Sequence, residues 1–286
     1  MWQGAYTALV TPFNRDGAVD YGKLRAIVEE QIAAGITGVV PVGTTGESPT
    51  VDFDEHHQII EVCITTARRR CKVIAGTGGN STREALELTQ HAKDAGADAT
   101  LQVTPYYNRP SQTGLLRHFS AVADLGLPVI LYNVPGRTGR EIEVGTVVEL
   151  AKHPHIVALK EAGGNVDRVS QVAQRCAIEI LSGDDALTLP MMVVGAVGVI
   201  SVASNVAPKP VPTWSARRSR ATGPRRRRCI GNITDCSPTC SSTRTPCRSR
   251  PPWRCRARSR RSTVCRSARW PPPRAPNSPR RSRRWV

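Results

Sequence analysis

The chain of 286 residues is poor in aromatic and thioether side chains: Phe, Trp and Tyr make up 5% of it, and it has three methionines. It also lacks an apolar run near the roughly 20 residues that a membrane-spanning helix needs. Its first residues lack the basic and apolar regions of a secretory signal. These absences argue against a membrane or exported protein, so we expect a cytoplasmic protein with no membrane partner.

Lysine is absent from residues 212–286, which contain 22 arginines and a single acidic residue, Asp235. Residues 1–211 have 18 basic and 22 acidic side chains, so the net charge of +17 arises from the end of the chain. The distribution of cysteine changes at the same place. Cys63, Cys71 and Cys176 lie far apart in the first segment, and six more cysteines follow position 228. Scattered cysteines without a close pair indicate a reduced compartment rather than a disulfide framework.

The basic tail has almost no aliphatic residues, so we expect residues 212–286 to be disordered. One interpretation is an arginine-rich arm that binds nucleic acid. We favour a shift of reading frame near position 211, because Arg, Pro, Ala and Cys codons dominate the wrong frame of GC-rich DNA. Degenerate codons for residues 239–250 permit the string LFIDTNPVPVK in the neighbouring frame. Nucleic-acid binding is then not expected.

Residues 1–211 alternate short apolar runs with segments of helical periodicity. Strands are predicted at residues 6–10, 38–42, 73–76, 100–103, 129–132, 156–160, 178–181 and 198–202. Helices are predicted at residues 23–34, 54–69, 82–95, 111–123, 144–152 and 166–176. Such alternation indicates right-handed βαβ units. Eight strands favour a closed (β/α)8 TIM barrel over an open doubly wound sheet.

Lys160 ends the apolar strand predicted at residues 156–160. A buried ammonium must be paired or lose its proton, although a strand-end lysine that reaches solvent is the commoner case. A deprotonated lysine is a nucleophile that forms Schiff bases with carbonyl compounds. Several polar residues also follow predicted strands, at the rim where barrel enzymes place their chemistry. This clustering favours catalysis by Lys160.

Schiff-base chemistry on a keto acid needs hydroxyls that move protons and donors that hold a carboxylate. Tyr132, Tyr107 and Thr44 are the candidate hydroxyls. The turn at residues 43–46 offers backbone amides for a carboxylate, and Arg137 offers a bidentate guanidinium for a second one. No metal is expected, since the adjacent histidines at 56 and 57 point about 100° apart on a helix.

Six motifs in unbroken order between residues 4 and 209 resemble the dihydrodipicolinate synthase family of pyruvate-dependent class I aldolases. They are VGTTGES at 42–48, VTPYYNRP at 103–110, LYNVPGRTG at 131–139, VALKEA at 157–162, LSGDD at 181–185 and GVISV at 198–202. The resemblance implies a lyase that condenses pyruvate with L-aspartate 4-semialdehyde to 4-hydroxy-tetrahydrodipicolinate, in lysine and diaminopimelate biosynthesis. It implies no separate cofactor, because pyruvate itself forms the Schiff base.

The resemblance also assigns roles to individual residues. Lys160 would carry the Schiff base, Tyr132 would be the acid/base beside it, and Thr44 and Tyr107 would complete the proton relay, Tyr107 from across a dimer interface. Thr45, Gly183 and Ile200 would line the pyruvate site, and Arg137 would receive the carboxylate of the semialdehyde. N-Acetylneuraminate lyase, a member of the same superfamily, is the alternative. Arg137 argues against it, because a neutral residue suits a polyol better than a guanidinium does.

A homotetramer built from two tight dimers is a further implication of the resemblance. The pocket that binds lysine as a feedback inhibitor in many relatives would correspond to Ser48, His56, Asn80, Glu84 and Tyr106. Phe53 and Pro49 depart from the residues of the regulated enzymes. The same five residues are therefore alternatively expected only to build the dimer interface.

The arginine- and proline-rich tail stands where the family has its last barrel helix and a C-terminal helical domain. Domain 1–211 would then expose the apolar surface that those helices cover, which favours instability. A truncated, inactive product is accordingly a second alternative.

We expect the 286-residue chain to be a poor catalyst and a frame-corrected chain to be a normal one. The comparison is made by purifying both and measuring the condensation of pyruvate with the semialdehyde. Sequencing the gene around codon 211 tests the frame directly, and equal activity of the two chains would contradict the expectation.

Overall fold

The structure, a computed structural model, describes residues 1–209 and consists of a closed barrel of eight parallel strands in chain order. The strands are β1 Gly4–Ala8, β2 Gly38–Val40, β3 Lys72–Gly76, β4 Ala99–Val103, β5 Val129–Asn133, β6 Ile156–Glu161, β7 Glu179–Ser182 and β8 Gly198–Ser201. The predicted (β/α)8 TIM barrel is confirmed. The predictions for residues 212–286, and for a boundary at 211, lie outside the described residues.

Helices follow the strands and cover the outside of the barrel. They are α1 Tyr21–Ala33, α2 Phe53–Ala67, α3 Thr82–Asp94, α4 Gln112–Ala123, α5 Pro135–Thr138, α6 Val144–Leu150, α7 Val166–Arg175 and α8 Thr188–Val194. The six predicted helices are present, and α5 and α8 are additional. With four residues, α5 is too short to give a helical periodicity, and α8, Thr188–Val194, is apolar at six of its seven positions and so lacks an amphipathic pattern.

All eight strands differ from their predicted bounds by one or two residues at one or both ends, among them β1, β2 and β6. β1 begins at Gly4 rather than at residue 6, because Gly4 and Ala5 already pair with Gly198 and Val199 of β8. β2 ends at Val40 because Pro41 has no N–H to donate, and Val42 has a left-handed φ of 46°. β6 continues one residue beyond Lys160.

The interior of the barrel is filled by one apolar layer to which every strand contributes. Its members include Tyr6, Val40, Ile74, Leu101, Ile130, Ala158, Leu181 and Ile200. Successive side chains of a strand point to opposite faces, so the alternate residues, such as Leu131 and Leu159, pack outward against the helices. This layer supports the residues at the carboxyl ends of the strands from below.

The close approach of the Lys72 backbone and of the Tyr6 ring requires a glycine at position 38. A Cβ added to Gly38 would lie 2.7 Å from the carbonyl oxygen of Lys72 and 2.8 Å from the ring of Tyr6.

Within residues 1–209, no helix is long and apolar enough to cross a membrane.

Candidate active site

Lys160 and Tyr132 lie side by side near the carboxyl ends of β6 and β5. The two residues are direct partners in the parallel register of these strands. The Nζ of Lys160 lies over the Tyr132 ring, 4.1 Å from its centroid, a distance at which a ring face attracts a cation. The predicted nucleophile and its predicted acid/base are therefore in contact.

Lys160 is buried, with 6% of its surface exposed, so the expectation of an ordinary solvent-facing lysine is wrong. Burial in this apolar environment lowers its pKa to about 8, and the positive charge of Arg137 acts in the same direction. The carboxylate of Asp185 opposes both. A substantial fraction of Lys160 is therefore neutral, and nucleophilic, near physiological pH.

Asp185 was part of a sequence motif but had no predicted role. Its Oδ2 accepts hydrogen bonds from the backbone N–H groups of Val202 and Ala203, each 3.0 Å long. These bonds tie the segment after β7 to the segment after β8. The carboxylate is thus held at a fixed place from which it acts on Lys160.

Tyr132 is buried, and burial raises the pKa of its hydroxyl. A hydrogen bond with the Thr44 side chain and the charge of Arg137 lower it again. Thr44 begins the short 3-10 turn Thr44–Gly46, whose N-cap is Gly43. The Thr11 hydroxyl donates a 2.6 Å hydrogen bond to the Gly46 carbonyl and so fastens this turn to the barrel.

A cavity of about 220 Å³ opens at this rim of the barrel. Its lining contains the predicted residues Thr44, Tyr132 and Arg137, together with Ser48 and Tyr106. Val42, Gly43, Pro49, Gly76, Gly78, Leu101, Val103, Val134 and Thr138 complete it. Lys160 lies beside the cavity rather than in its lining, because its ammonium is against the face of the Tyr132 ring.

The cavity lining does not include the three residues that were predicted to line the pyruvate site, Thr45, Gly183 and Ile200. Gly183 is nevertheless next to the nucleophile, because a Cβ added there would lie 3.1 Å from Lys160 Cε and 2.7 Å from Ala162 Cβ. Ile200 is fully buried in the same apolar layer as Tyr132. Thr45 follows Thr44 in the 3-10 turn.

Tyr107 points away from the other predicted residues. It is 91% exposed and has a left-handed φ of 69°, a conformation that is uncommon for an aromatic residue. Within one chain it does not reach Tyr132. Its neighbour Tyr106 turns inward and lines the cavity.

A second, smaller cavity of about 50 Å³ lies beside the first. Four of the five predicted effector residues line it, namely Ser48, His56, Glu84 and Tyr106, and so do Pro49 and Phe53. Asn80 is not in the lining; its carbonyl oxygen accepts a 3.0 Å hydrogen bond from the Asn108 side chain.

His56 lines this second cavity as a neutral ring. Its Nε2–H donates a 2.9 Å hydrogen bond to the Gly76 carbonyl, and burial lowers its pKa to about 4. The ring is therefore neutral, with Nδ1 as a bare acceptor. That atom is buried and has no hydrogen-bond partner among the described residues.

Residues 1–214 match the model of the dihydrodipicolinate synthetase family. The chain belongs to this family. A 4-hydroxy-tetrahydrodipicolinate synthase from Geotalea daltonii is 55% identical over 214 residues, which are 74% of this chain and 73% of that protein. The family membership inferred from the six sequence motifs is therefore confirmed.

Two solved structures of family members are similar to this fold. The chloride-inhibited synthase from Acinetobacter baumannii, complexed with pyruvate, is 44% identical with a TM-score of 0.76, covering 83% of this chain and 85% of that one. The synthase from Cyanidioschyzon merolae, with lysine bound, is 39% identical with a TM-score of 0.75, covering 81% and 80%.

Substituting Gly183→Ala is expected to displace Lys160, because the added methyl group would crowd its side chain and that of Ala162. Overpacking of this kind costs about 1–3 kcal/mol in stability. Chemical denaturation measures that loss, and the rate of Schiff-base formation measures the displacement.

Gly145→Ala is the matched control, because a Cβ at this exposed position in α6 has no atom within 4 Å. Helix propensity predicts a gain of roughly 0.5–1 kcal/mol there. Equal effects of the two substitutions would show that Gly183 is not needed to accommodate Lys160.

Proposed function

We propose that the chain is a lyase that condenses pyruvate with L-aspartate 4-semialdehyde, through a Schiff base on Lys160, to give 4-hydroxy-tetrahydrodipicolinate. The observation that carries the proposal is the burial of Lys160 against Tyr132 beside a cavity that also contains Arg137. Family membership and the names of the relatives support the same reaction. The product is a precursor in lysine and diaminopimelate biosynthesis.

In the first step, the neutral amine of Lys160 attacks the keto carbon of pyruvate. The oxygen of the resulting carbinolamine leaves as water, for which it needs a proton. Tyr132 is the nearest candidate donor, and its contact with Thr44 provides a route for replacing that proton. The product of this step is an imine between Lys160 and pyruvate.

In the second step, the methyl group of the bound pyruvate loses a proton, and the imine becomes an enamine. Its terminal carbon attacks the aldehyde carbon of the semialdehyde, which forms the new carbon–carbon bond and restores the imine. The aldehyde oxygen takes up a proton and becomes the 4-hydroxyl group. The amino group of the semialdehyde then attacks the imine carbon and displaces Lys160 as the free amine. Lysine serves as the electron sink throughout, so we propose that no separate cofactor takes part.

Two groups at the rim suit the substrate carboxylates. The first residues of the turn, Thr44 and Thr45, offer backbone N–H groups for the carboxylate of pyruvate, whereas the Gly46 N–H is donated to the Gly43 carbonyl within the turn. Arg137 lines the cavity and is exposed at its mouth, where a guanidinium binds a carboxylate through two parallel hydrogen bonds. Because it suits an amino-acid semialdehyde better than a polyol, this reaction is favoured over that of N-acetylneuraminate lyase.

The outward position of Tyr107 supports an assembled enzyme. A tyrosine that is 91% exposed in one chain is free to enter the site of a second chain and complete its proton relay. We therefore include a dimer, and a tetramer built from two dimers, in the proposal. A reducing cytoplasmic location is also part of it, and the free cysteines Cys63, Cys71 and Cys176 accord with that location.

Borohydride reduction in the presence of pyruvate is expected to fix one pyruvate adduct on Lys160. Since the pKa of Lys160 is lowered to about 8, the neutral amine is lost as pH falls below that value. The trapping rate should therefore drop about tenfold per pH unit below it and level off above it. Peptide mass mapping locates the adduct at each pH.

Lys160→Arg should abolish the adduct, whereas Lys152→Arg, on an exposed lysine, should leave it unchanged. An adduct on another lysine, or none at all, would overturn the proposed chemistry.

We further propose that the second cavity binds lysine as a feedback effector. Glu84 offers a carboxylate for an ammonium group, and His56 lines the same cavity as a neutral ring. The relative from Cyanidioschyzon merolae was solved with lysine bound. Phe53 and Pro49, which depart from the residues of the regulated enzymes, also line this cavity. Their presence favours the alternative in which these residues only build the dimer interface.

Free lysine is expected to inhibit condensation, and Glu84→Gln should weaken that inhibition about tenfold or more, because a charge-assisted hydrogen bond is lost. Titration of activity with lysine measures the change. Glu87→Gln, at an exposed position of the same helix, is the control and should keep the inhibition of the unmodified chain. Insensitivity of the unmodified chain to lysine would refute the effector proposal without affecting the catalytic one.

A further inference from the structure

A buried polar network lies directly behind the Lys160–Tyr132 pair. The residues that follow these two, Glu161 and Asn133, are themselves partners in the β5–β6 register. Successive side chains of a strand point to opposite faces. Lys160 and Tyr132 therefore point toward the barrel axis, whereas Glu161 and Asn133 point into the layer between the sheet and the helices.

Glu161 is completely buried, and its carboxylate is fully hydrogen-bonded. The Asn133 side-chain amide donates to both oxygens, at 2.9 and 3.1 Å. The Gly163 N–H donates at 2.8 Å, and Arg168 Nε donates at 2.8 Å. A buried carboxylate without such partners would be costly, so this arrangement is specific.

The network joins four separate parts of the chain. Arg168 lies in the first turn of α7 and donates through Nη2 to the carbonyl of Ile142. The Asn133 side-chain oxygen accepts a 3.0 Å hydrogen bond from the Ile142 N–H. The ends of β5 and β6, the start of α7 and the segment before α6 are thus held together.

Space around the carboxylate is as restricted as its hydrogen bonding. A Cβ added to Gly163 would lie 2.7 Å from Glu161 Oε1 and 3.3 Å from Asn133 Nδ2. The backbone after β6 therefore passes directly against the network. Movement of Glu161 would move this backbone, and with it the attachment of Lys160.

We propose that Asn133, Glu161 and Arg168 form a clamp that positions Lys160 and Tyr132 for Schiff-base formation. The clamp holds the final residue pair of β5 and β6 from the outer face, so that the preceding pair stays in contact on the inner face. Its members are positioning residues, since none of them faces the cavity. The inference rests on the proposed function, in which Lys160 and Tyr132 act together.

The direct effect of neighbouring charges on the pKa of Lys160 is separate from the positioning effect of the clamp. The charges that act on Lys160 are those of Arg137 and Asp185, whereas the charge of Glu161 is paired with that of Arg168 at 2.8 Å. Loosening the clamp should therefore change the pKa and the reactivity of Lys160, because its side chain can then move and become solvated. Misplacement by about 1 Å can lower a rate by about a hundredfold.

Asn133→Leu is the most informative variant, because it removes the amide contacts and leaves the Glu161–Arg168 ion pair in place. In the full chain, we expect the pH midpoint for reductive methylation of Lys160 to rise by about one unit as the amine becomes solvated. The rate of borohydride-trapped imine formation with pyruvate should fall about ten- to a hundredfold. Peptide mass spectrometry follows both reactions at Lys160.

Thr89→Val is the matched control. Thr89 is fully buried and bonds to Thr77 Oγ1 at 2.8 Å and to Gln102 Nε2 at 2.9 Å, in a polar cluster around β3, β4 and α3. It should lower thermal stability but leave the methylation midpoint and the trapping rate of Lys160 unchanged. Glu161→Asp, which keeps the charge but shortens the reach to Asn133, is a second clamp variant if Asn133→Leu does not fold.

A clamp variant that is folded and has the unmodified midpoint and trapping rate would overturn the inference. A similar change in Thr89→Val would also overturn it, because general destabilisation would then explain the effect. Methylation does not involve pyruvate, so it tests the clamp even if the unmodified chain forms no imine. That last result would refute the proposed function instead.

Discussion

Parallel pairing of β5 with β6 in one particular register is the constraint on which the site depends. It makes Tyr132 the partner of Lys160, and Asn133 the partner of Glu161. A shift of one residue would turn Lys160 toward the helices and Glu161 toward the barrel axis. The same register thus places Lys160 beside Tyr132 on the inner face, and on the outer face it assembles the hydrogen bonds around Glu161.

The barrel interior then gives Lys160 its reactivity. Burial disfavours the ammonium form, and Arg137 adds to this effect, while Asp185 limits it. These three contributions come from β6 itself, from α5 and from the segment after β7, which the pairing of β5, β6 and β7 brings together. Gly183 leaves the space in which the lysine side chain lies. The lowered pKa of Lys160 is a property of packing as much as of residue type.

Much of this arrangement could be predicted because all strands of a parallel barrel end at one rim. Thr44 follows β2, whereas Tyr132 lies in β5 and Arg137 directly after it, and the three line one cavity. The prediction was less successful where contacts are long-range. Glu161 had no predicted role, although Arg168 and Asn133 hold it in the buried end of β6. Asp185 is held in place by hydrogen bonds from the backbone N–H groups of Val202 and Ala203, which lie beyond the next strand in the chain.

The amino-acid sequence by itself determined the alternation of strands and helices, the number of strands and the identity of the residues at the rim. These features follow from local periodicity and from motifs, which are present in the chain before it folds. Only the tertiary structure decided which residues touch: that Lys160 is buried against Tyr132, that Tyr107 points outward, and that Thr45 and Ile200 lie outside the cavity lining. The physical reason is that burial and distance depend on barrel closure, which brings together residues from strands that are remote in the sequence.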